Sequence, residues 1–273
     1  MRDEAFETHE PVDLHVDNPR GVVRVIATDT TETTVTLDGP DEEDVEVGFD
    51  GRTLFVRAPK QAGFMARNHD LEVVVTLPRS STLVARLGSA DLDCDGALGR
   101  TEVRSGSGDV EIDTLEGASS IETGSGDVHT RHLLAPAKIK CGSGDVLLET
   151  VDGPTVVSTG SGDVQVRDAL APLVVKTGSG DLEVHHATGD VSLTSGSGSL
   201  ALRRAEQGTV KVKGASSTVW VGIPAGTPVW TDVSTLTGRL HSGLDSTGAP
   251  EEGQPYVELH VTTVSGDVAL QQV

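Results

Sequence analysis

The chain has 273 residues and a formal net charge of −21, from 21 Lys and Arg against 42 Asp and Glu. This acidic surplus argues against nucleic-acid binding through phosphates, which needs a basic face, and it disfavours adhesion to anionic lipid. We find no apolar window long enough for a transmembrane helix and no apolar leader after Met1-Arg2-Asp3. We therefore expect a cytoplasmic protein, with association to the cell envelope through a partner as the alternative.

Residues 1–87 alternate apolar and polar side chains in short runs, which is typical of strands with one buried face. Turn signals at Asp38-Gly39-Pro40 and Asp50-Gly51 separate some of these runs. Because they do not follow the 18-residue repeat found later in the chain, we interpret residues 1–87 as a β-rich N-terminal cap. The predicted strands are Val12–Val16, Val22–Ala27, Thr33–Leu37, Val45–Phe49, Thr53–Arg57, Leu71–Leu77 and Thr82–Leu87.

A tandem repeat with a step of 18 residues occupies residues 88–217. The tetrad Gly-Ser-Gly-Asp begins at Gly106, Gly124, Gly142, Gly160 and Gly178. One step earlier lies Gly88-Ser89-Ala90-Asp91, and one step later Gly196-Ser197-Gly198-Ser199, followed by a decayed copy at Gly214-Ala215-Ser216-Ser217. Copies of constant length indicate structural units that stack on one another. We expect the glycines to form turns, because glycine accepts positive φ.

Apolar residues recur at fixed places between the tetrads, separated by two positions, and many are β-branched. This pattern predicts an all-β, parallel β-solenoid in which each 18-residue coil holds two short strands and two turns. The apolar columns are Val110, Val128, Val146, Val164, Leu182, Leu200; Ile112, Thr130, Leu148, Val166, Val184, Leu202; and Val103, Ile121, Ile139, Val157, Val175, Leu193. A column of small residues follows: Ser105, Thr123, Cys141, Thr159, Thr177, Ser195.

Residues 218–273 are predicted to form C-terminal β coils or a cap. Trp220 and Trp230 follow the last decayed repeat, and we expect them to cover the core of the last coil. Residues 243–255 are rich in Gly, Pro, Ser and acidic residues and are interpreted as a linker-like loop. Val264-Ser265-Gly266-Asp267-Val268 then restores the tetrad motif, which predicts a further coil or cap strand.

Two other solenoid classes fit the pattern less well. A hexapeptide β-helix needs an aliphatic residue at every sixth position, but Glu116 and Glu122 follow Val110 at that spacing. A calcium-binding β-roll repeats a glycine- and aspartate-containing motif every nine residues. Here one half of each 18-residue repeat carries the tetrad.

The aspartates of the repeats are the candidate metal ligands. Their carboxylates would stack about 4.8 Å apart, where a calcium ion could bridge them. We favour the alternative that each aspartate caps its own turn by accepting a backbone N–H. We accordingly predict no cofactor, with calcium binding as the alternative. The candidates are Asp91, Asp109, Asp127, Asp145, Asp163 and Asp181.

A second calcium pattern starts at Asp91-Leu92-Asp93-Cys94-Asp95-Gly96 and ends at Glu102, with the spacing of an EF-hand loop. That motif requires a helix on each side, whereas both flanking segments have the pattern of strands. The 18-residue repeat explains the same residues as one strand with outward-facing Asp93 and Asp95. We therefore interpret this segment as part of the solenoid.

The remaining candidates indicate structure rather than catalysis. Cys94 and Cys141 are more than two coils apart, beyond disulfide reach, and are predicted to be buried thiols. One outward column, predicted to be a solvated surface with ion pairs that fix the strand register, reads Asp113, Arg131, Glu149, Arg167, His185, Arg203. Nucleophile-elbow, phosphate-loop, zinc-protease and C-x-x-C motifs do not occur, so we predict no enzyme.

Three stretches make the chain resemble the bacterial putative-adhesin β-strand-repeat family, also called toast-rack domains. These are the opening Val16–Val25, the central tetrads, and the closing Ile223–Thr227 with Val233–Gly238. The resemblance implies a β-solenoid with a binding, scaffold or envelope-sensing role and a protein or cell-envelope partner. The alternatives are a calcium-responsive module and a carbohydrate-active enzyme on a solenoid.

Overall fold

The computed structural model describes residues 1–40, 42–59, 70–245, 248 and 250–273. Residues 246, 247 and 249 of the predicted linker lie outside this described part. The chain forms two compact units, Met1–Pro136 and Ala137–Val273, and each is described by itself. Within the described ranges the only helix is a single 3-10 turn at Glu42–Asp44, and no helix is long and apolar enough to cross a membrane.

The first unit contains two sheets. Their strands are β1 (Arg2–Glu7), β2 (Asp13–Asn18), β3 (Gly21–Thr28), β4 (Glu32–Asp38), β5 (Glu46–Phe49), β6 (Thr53–Arg57), β7 (Leu71–Pro78), β8 (Thr82–Leu87), β9 (Asp91–Leu98), β10 (Thr101–Ser105), β11 (Val110–Leu115), β12 (Ser119–Thr123) and β13 (Val128–Leu133). One sheet has the order β1-β4-β7-β3-β9-β11-β13, and the other has the order β12-β10-β8-β2-β6-β5. The seven strands predicted before residue 88 all coincide with observed strands, whereas β1 was not predicted.

The pairing in this unit changes from antiparallel to parallel along each sheet. β1 with β4, β4 with β7, and β5 with β6 are antiparallel. The pairings of β3 with β7 and β9 are parallel, as are those of β2 with β6 and β8. The first coil, β2 and β3, therefore lies between two coils that follow it in the chain.

The second unit also contains two sheets, and all its strand pairings in the described residues are parallel. Its strands are β14 (Ala137–Cys141), β15 (Val146–Val151), β16 (Thr155–Thr159), β17 (Val164–Ala169), β18 (Leu173–Thr177), β19 (Leu182–Ala187), β20 (Val191–Ser195), β21 (Leu200–Ala205), β22 (Gly208–Ser216), β23 (Val219–Ile223), β24 (Val229–Thr235), β25 (Leu240–Gly243), β26 (Val257–Ser265) and β27 (Val268–Gln272). The sheet orders are β15-β17-β19-β21-β23-β27-β25 and β24-β26-β22-β20-β18-β16-β14.

The last coil of the chain is inserted into the stack rather than added to its end. β26 pairs with β22 on one side and with β24 on the other, and β27 lies in the same way between β23 and β25. The further coil predicted from Val264–Val268 is confirmed. Its place between two earlier coils was not predicted.

The alternating columns form the core of each unit, which confirms the parallel β-solenoid. Strand registers advance by 18 residues, as in Val110↔Val128 and Val164↔Leu182. Side chains such as Ile112 and Leu202 are fully buried. β-Branched and aliphatic residues fit this pleated interior without aromatic rings. The boundaries proposed at residues 87/88 and 217/218 stay a prediction.

The last decayed copy of the repeat is displaced by one residue from its predicted position. Val191 pairs with Val210 and Leu200 with Val219, a step of 19 rather than 18. Gly208, with φ +96°, takes the left-handed conformation where the extra residue enters. Ala215 donates its N–H to Gly196, so Ala215 rather than Gly214 occupies the first tetrad position.

The role of the tetrad glycines differs from the prediction. None of those between Gly106 and Gly198 in the described chain has positive φ. A Cβ on Gly162 would lie 1.9 Å from the carbonyl oxygen of Gly144, and one on Gly126 would lie 2.1 Å from that of Gly108. Glycine is needed because successive turns stack with their backbones in contact, leaving no space for a side chain.

The tryptophans do not cover the core of the last coil, so that prediction is wrong. Trp230 is 53% exposed and Trp220 is half-buried. Both lie at outward positions of their strands, since Val229 and Val219 next to them continue the inward columns. Trp220 packs under the Arg203 guanidinium at 5.4 Å and donates a hydrogen bond to Gln271.

Candidate functional site

The repeat aspartates form a ladder in which each carboxylate serves the next coil. The backbone N–H of Asp109 donates to Oδ1 of Asp91 at 2.9 Å, and that of Asp127 donates to Asp109 at 2.8 Å. In the second unit, Asp163 donates to Asp145 and Asp181 donates to Asp163, both at 2.8 Å. The prediction that each aspartate caps its own turn is wrong, because the accepted N–H comes from the residue 18 positions later.

This arrangement follows from the strand-to-turn geometry. Leu92 donates its own N–H to the carbonyl oxygen of Asp109, so the strand ladder begins there. The N–H of Asp109 precedes the ladder and is supplied with an acceptor by the side chain of Asp91. Hydrogen bonds of this kind, from a backbone N–H to a carboxylate, are stronger than neutral ones. The ladder therefore holds successive turns in register.

A second polar column closes the same turns from inside. Thr159 and Thr177 accept the N–H of the glycine three residues later, Gly162 and Gly180, at 3.0 and 2.8 Å. In the corresponding place of another coil, the thiol of Cys141 donates to the carbonyl oxygen of Gly144. These side chains are buried. The small column is polar because its side chains hydrogen-bond to backbone groups of the turns that are buried with them.

The EF-hand-like segment lies on strand β9 and continues into strand β10, as the repeat predicts. Asp93 forms an ion pair with Arg24 at 3.2 Å, while Asp91 belongs to the ladder. Among the residues that the structure describes, no group of three or more His, Cys, Asp or Glu side chains could hold a metal ion. That no cofactor is bound stays a prediction.

The cysteines and the outward charges lie as predicted on buried and exposed columns. Cys94 and Cys141 are buried thiols, and burial raises the pKa of the Cys94 thiol. On the outward face, Arg167 pairs with Glu149 of the preceding coil, whereas Arg203 pairs diagonally with Glu183 at 2.9 Å. These exposed ion pairs connect neighbouring coils and contribute little each.

A cleft in the second unit departs from the repeat. It has a volume of about 560 Å³, and its lining includes Pro228, Trp230, Tyr256, Glu258 and His260. We call these five residues the C-terminal cleft. The Trp230 and His260 rings lie 5.0 Å apart, because Trp230 sits on β24 and His260 projects from the same face of β26.

Carboxylates surround the aromatic groups of the C-terminal cleft. The Tyr256 hydroxyl donates to Glu258 at 3.0 Å, and this hydrogen bond raises the pKa of Tyr256. His260 lies between Asp232, 3.7 Å from Nδ1, and Glu258, 3.6 Å from Nε2. An exposed indole flanked by carboxylates is suited to bind a cationic group.

The C-terminal cleft was not predicted, although the sequence contains one signal for it. Trp230 and Asp232 alternate with Val229 and Val233, so strand parity alone places the indole and a carboxylate on the outward face. The participation of Tyr256 depends on the inserted coil and has no comparable signal in the sequence.

The solved structures to which the chain is similar come from several bacteria. One is a "putative adhesin" from Bacteroides fragilis, 15% identical, covering 80% of this chain and 95% of that chain with a TM-score of 0.40. Another is a "putative lipid binding protein" from Parabacteroides distasonis, 11% identical, covering 98% and 96% with a TM-score of 0.42. No curated protein matches the chain.

The family comparison covers nearly the whole sequence. The Toastrack DUF4097 model matches residues 13–171 and, in a second overlapping match, residues 157–271. These ranges include the inserted coils at both ends and every copy of the tetrad. The chain therefore belongs to the Toastrack DUF4097 family.

Proposed function

We propose that this protein is a non-enzymatic interaction protein, a β-solenoid that presents a surface to a protein or cell-envelope partner. The observation that carries this proposal is the concentration of exposed apolar side chains after residue 228. Trp230 is 53% exposed and Leu236 80% exposed, and Leu240, Tyr256 and Val264 are also exposed. Exposed apolar groups gathered in one region are typical of interaction sites.

The polar groups of the repeat support a structural rather than catalytic role for that part of the chain. The Asp163 carboxylate accepts the N–H of Asp181, and the Thr159 hydroxyl accepts that of Gly162. Groups engaged in this way hold the coils together. The solenoid would then act as a rigid support, with recognition assigned to the region that departs from the repeat.

The proposal is tested by immobilising the full chain and capturing binding partners from an extract of the native host. Cell fractionation then shows in which compartment this protein and the captured partner are found. The control is Leu202→Asp, which places a charge in a fully buried column and should unfold the second unit. We expect a saturable partner on the folded chain and none on the control. The absence of such a partner, together with products in a glycan-cleavage screen, would favour the enzymatic alternative. Fractionation also tests the compartment, which stays a prediction.

A further inference from the structure

We propose that the outer edge of strand β24 is a docking site for an extended segment of a partner protein, in which apolar residues alternate with Lys or Arg. This inference rests on the proposed function and specifies the surface and the chemistry of its partner. The mode is strand addition, in which main-chain hydrogen bonds supply affinity and alternate side chains supply specificity.

Alternate residues of β24 direct their backbone groups away from the sheet. Val257 of β26 donates its N–H to the carbonyl oxygen of Pro228 at 3.0 Å. Because successive residues of a strand point their amides to opposite sides, Val229, Thr231 and Val233 direct theirs away from β26. β24 is the last strand of its sheet in the part of the chain that the structure describes. Among the described residues these N–H and C=O groups have no backbone partner, so a further strand can pair with them.

The inward face of β24 is incompletely buried. The side chains of Leu259 and Val261 on β26 are buried, whereas Val229 and Val233 beside them on β24 are half-buried and Thr231 is exposed. An added strand with apolar residues at alternate positions would cover this face. Valine or isoleucine would extend the existing column.

The outward face of β24 carries negative charge beside an exposed indole. Trp230 and Asp232 are two positions apart on β24 and therefore share its outward face. The neighbouring strand β26 brings His260 and Glu258 to the same face. The carboxylates of Asp232 and Glu258 would pair with cationic side chains at outward positions of the added strand. The exposed Trp230 ring would accept one of them in a cation–π contact.

The same charges argue against a second copy as the occupant. A two-fold arrangement would bring the Asp232 carboxylates of two chains together at the paired edges. Each chain also carries a formal net charge of −21. Like charges at cross-strand positions destabilise pairing. Charge complementarity thus selects a basic partner.

The edge also lacks the features that prevent unwanted pairing. Strand β24 contains one charged residue, Asp232, and neither lysine nor proline. Edge strands that avoid pairing usually carry lysines, prolines or bulges. An edge of seven residues without them is suited to recognition.

The test uses a fluorescently labelled peptide with four lysines alternating with three valines, and the full chain as its receptor. Two control peptides carry glutamate for every lysine or an N-methyl group on every peptide nitrogen. We expect saturable binding of the lysine–valine peptide and at least tenfold weaker binding of each control. The N-methyl groups block strand hydrogen bonding without changing the charge.

Two receptor variants locate the site. Thr231→Pro removes an N–H that points to the open edge, where proline is tolerated, and Asp232→Lys reverses the outward charge. We expect each to weaken binding at least tenfold. Asp3→Lys, on the exposed edge strand β1, makes the same charge change elsewhere and should alter binding less than twofold. Urea unfolding curves confirm that all three variants are folded.

Several outcomes would overturn the inference. Equal losses with Asp232→Lys and Asp3→Lys would show general charge attraction, and unchanged binding of the N-methylated peptide would exclude strand addition. A concentration-dependent dimer that Thr231→Pro abolishes would assign the edge to a second copy. A host partner retained equally by Thr231→Pro and the wild type would keep the proposed function and reject this site.

Discussion

At both ends of the chain, a terminal coil is inserted between two other coils. At the N-terminal end, β2 and β3 lie between the coils formed by β6 with β7 and by β8 with β9. At the C-terminal end, β26 and β27 lie between the coils formed by β22 with β23 and by β24 with β25. Each terminal coil thus has hydrogen-bonded neighbours on both sides, which protects segments that would otherwise fray.

The ends differ in the strands that lie outside these inserted coils. The N-terminal end reverses direction, and its edge strand β1 has four charged residues among six. Leu37 on the neighbouring strand β4 remains fully buried. At the C-terminal end the parallel pairing continues to the edge, and Val233 is only half-buried. Insertion thus secures a terminus, whereas an antiparallel, charged edge strand completes the core.

The largest expected effect tests this difference in the core. Leu37→Asp should destabilise the protein by at least about 3 kcal/mol, because it buries a charge without a partner. Val233→Asp, at the incompletely covered C-terminal edge, should cost about 1 kcal/mol or less. Urea unfolding of both variants measures the two values. Similar losses would show that the C-terminal core is as well covered as the N-terminal one.

Two glycine substitutions compare the stacked turns with the C-terminal edge. Gly162→Ala should cost about 1–3 kcal/mol, since its Cβ would meet the carbonyl oxygen of Gly144 and the backbones must separate. Gly243→Ala on β25, whose Cβ would lie 3.6 Å from the nearest atom, serves as the control. Thermal melts should show a lower midpoint for Gly162→Ala alone. An unchanged midpoint would contradict the close stacking.

Two aromatic substitutions, one on each edge strand, compare the edges directly. The Phe6 ring of β1 lies 5.3 Å from that of Phe49 on β5, so Phe6→Ala should cost about 1–2 kcal/mol. Trp230→Ala on β24 removes an exposed ring and should change stability by no more than about 0.5 kcal/mol. Denaturant midpoints test both values. A larger loss for Trp230→Ala would assign the indole a structural role.

A ladder aspartate can be compared with Asp267, which accepts a backbone N–H in the same way in the inserted last coil. Asp163→Ala removes the acceptor for the Asp181 N–H and should cost about 1 kcal/mol. Asp267→Ala should cost less, because the Arg239 N–H that it serves belongs to the exposed edge. Asp163→Asn keeps an acceptor and should recover much of the loss. Melting midpoints equal in calcium and in chelator are expected, and a calcium-dependent rise would support the calcium alternative.

The smallest effect concerns the N-terminal end at acid pH. Arg52, 2.9 Å from Asp13, lowers the pKa of that carboxyl by hydrogen bonding and charge. A lowered folded-state pKa gives stability that is present above the unfolded value of about 3.9 and is lost as pH falls through the folded value. The free energy of unfolding of the wild type should therefore exceed that of Asp13→Asn by less than about 1 kcal/mol near neutrality. Urea unfolding at a series of pH values should show this difference vanish in acid. In an Arg52→Gln background the difference should become smaller, leaving the contribution of the Thr82 hydrogen bond to Asp13.

The sequence predicted the coils because their information is local and periodic. Columns such as Val164 and Leu182 recur at 18 residues, and alternation assigns each side chain to the inside or the outside. The same parity places Trp230 outward, and the expectation that it covers the core neglected this rule. Strand β1 was missed because its charges hide the alternation of an edge strand.

Tertiary structure alone decided the order of the coils and the partners of the polar groups. A column residue such as Val261 fits the interior at any level of the stack, so its sequence does not state which coils it joins. The acceptor for the Asp181 N–H likewise could not be predicted from the sequence, because it comes from the preceding coil rather than from the turn of Asp181 itself. Sequence periodicity determines what each coil contains, while the contacts between coils determine where the chain ends are placed and which surface stays open.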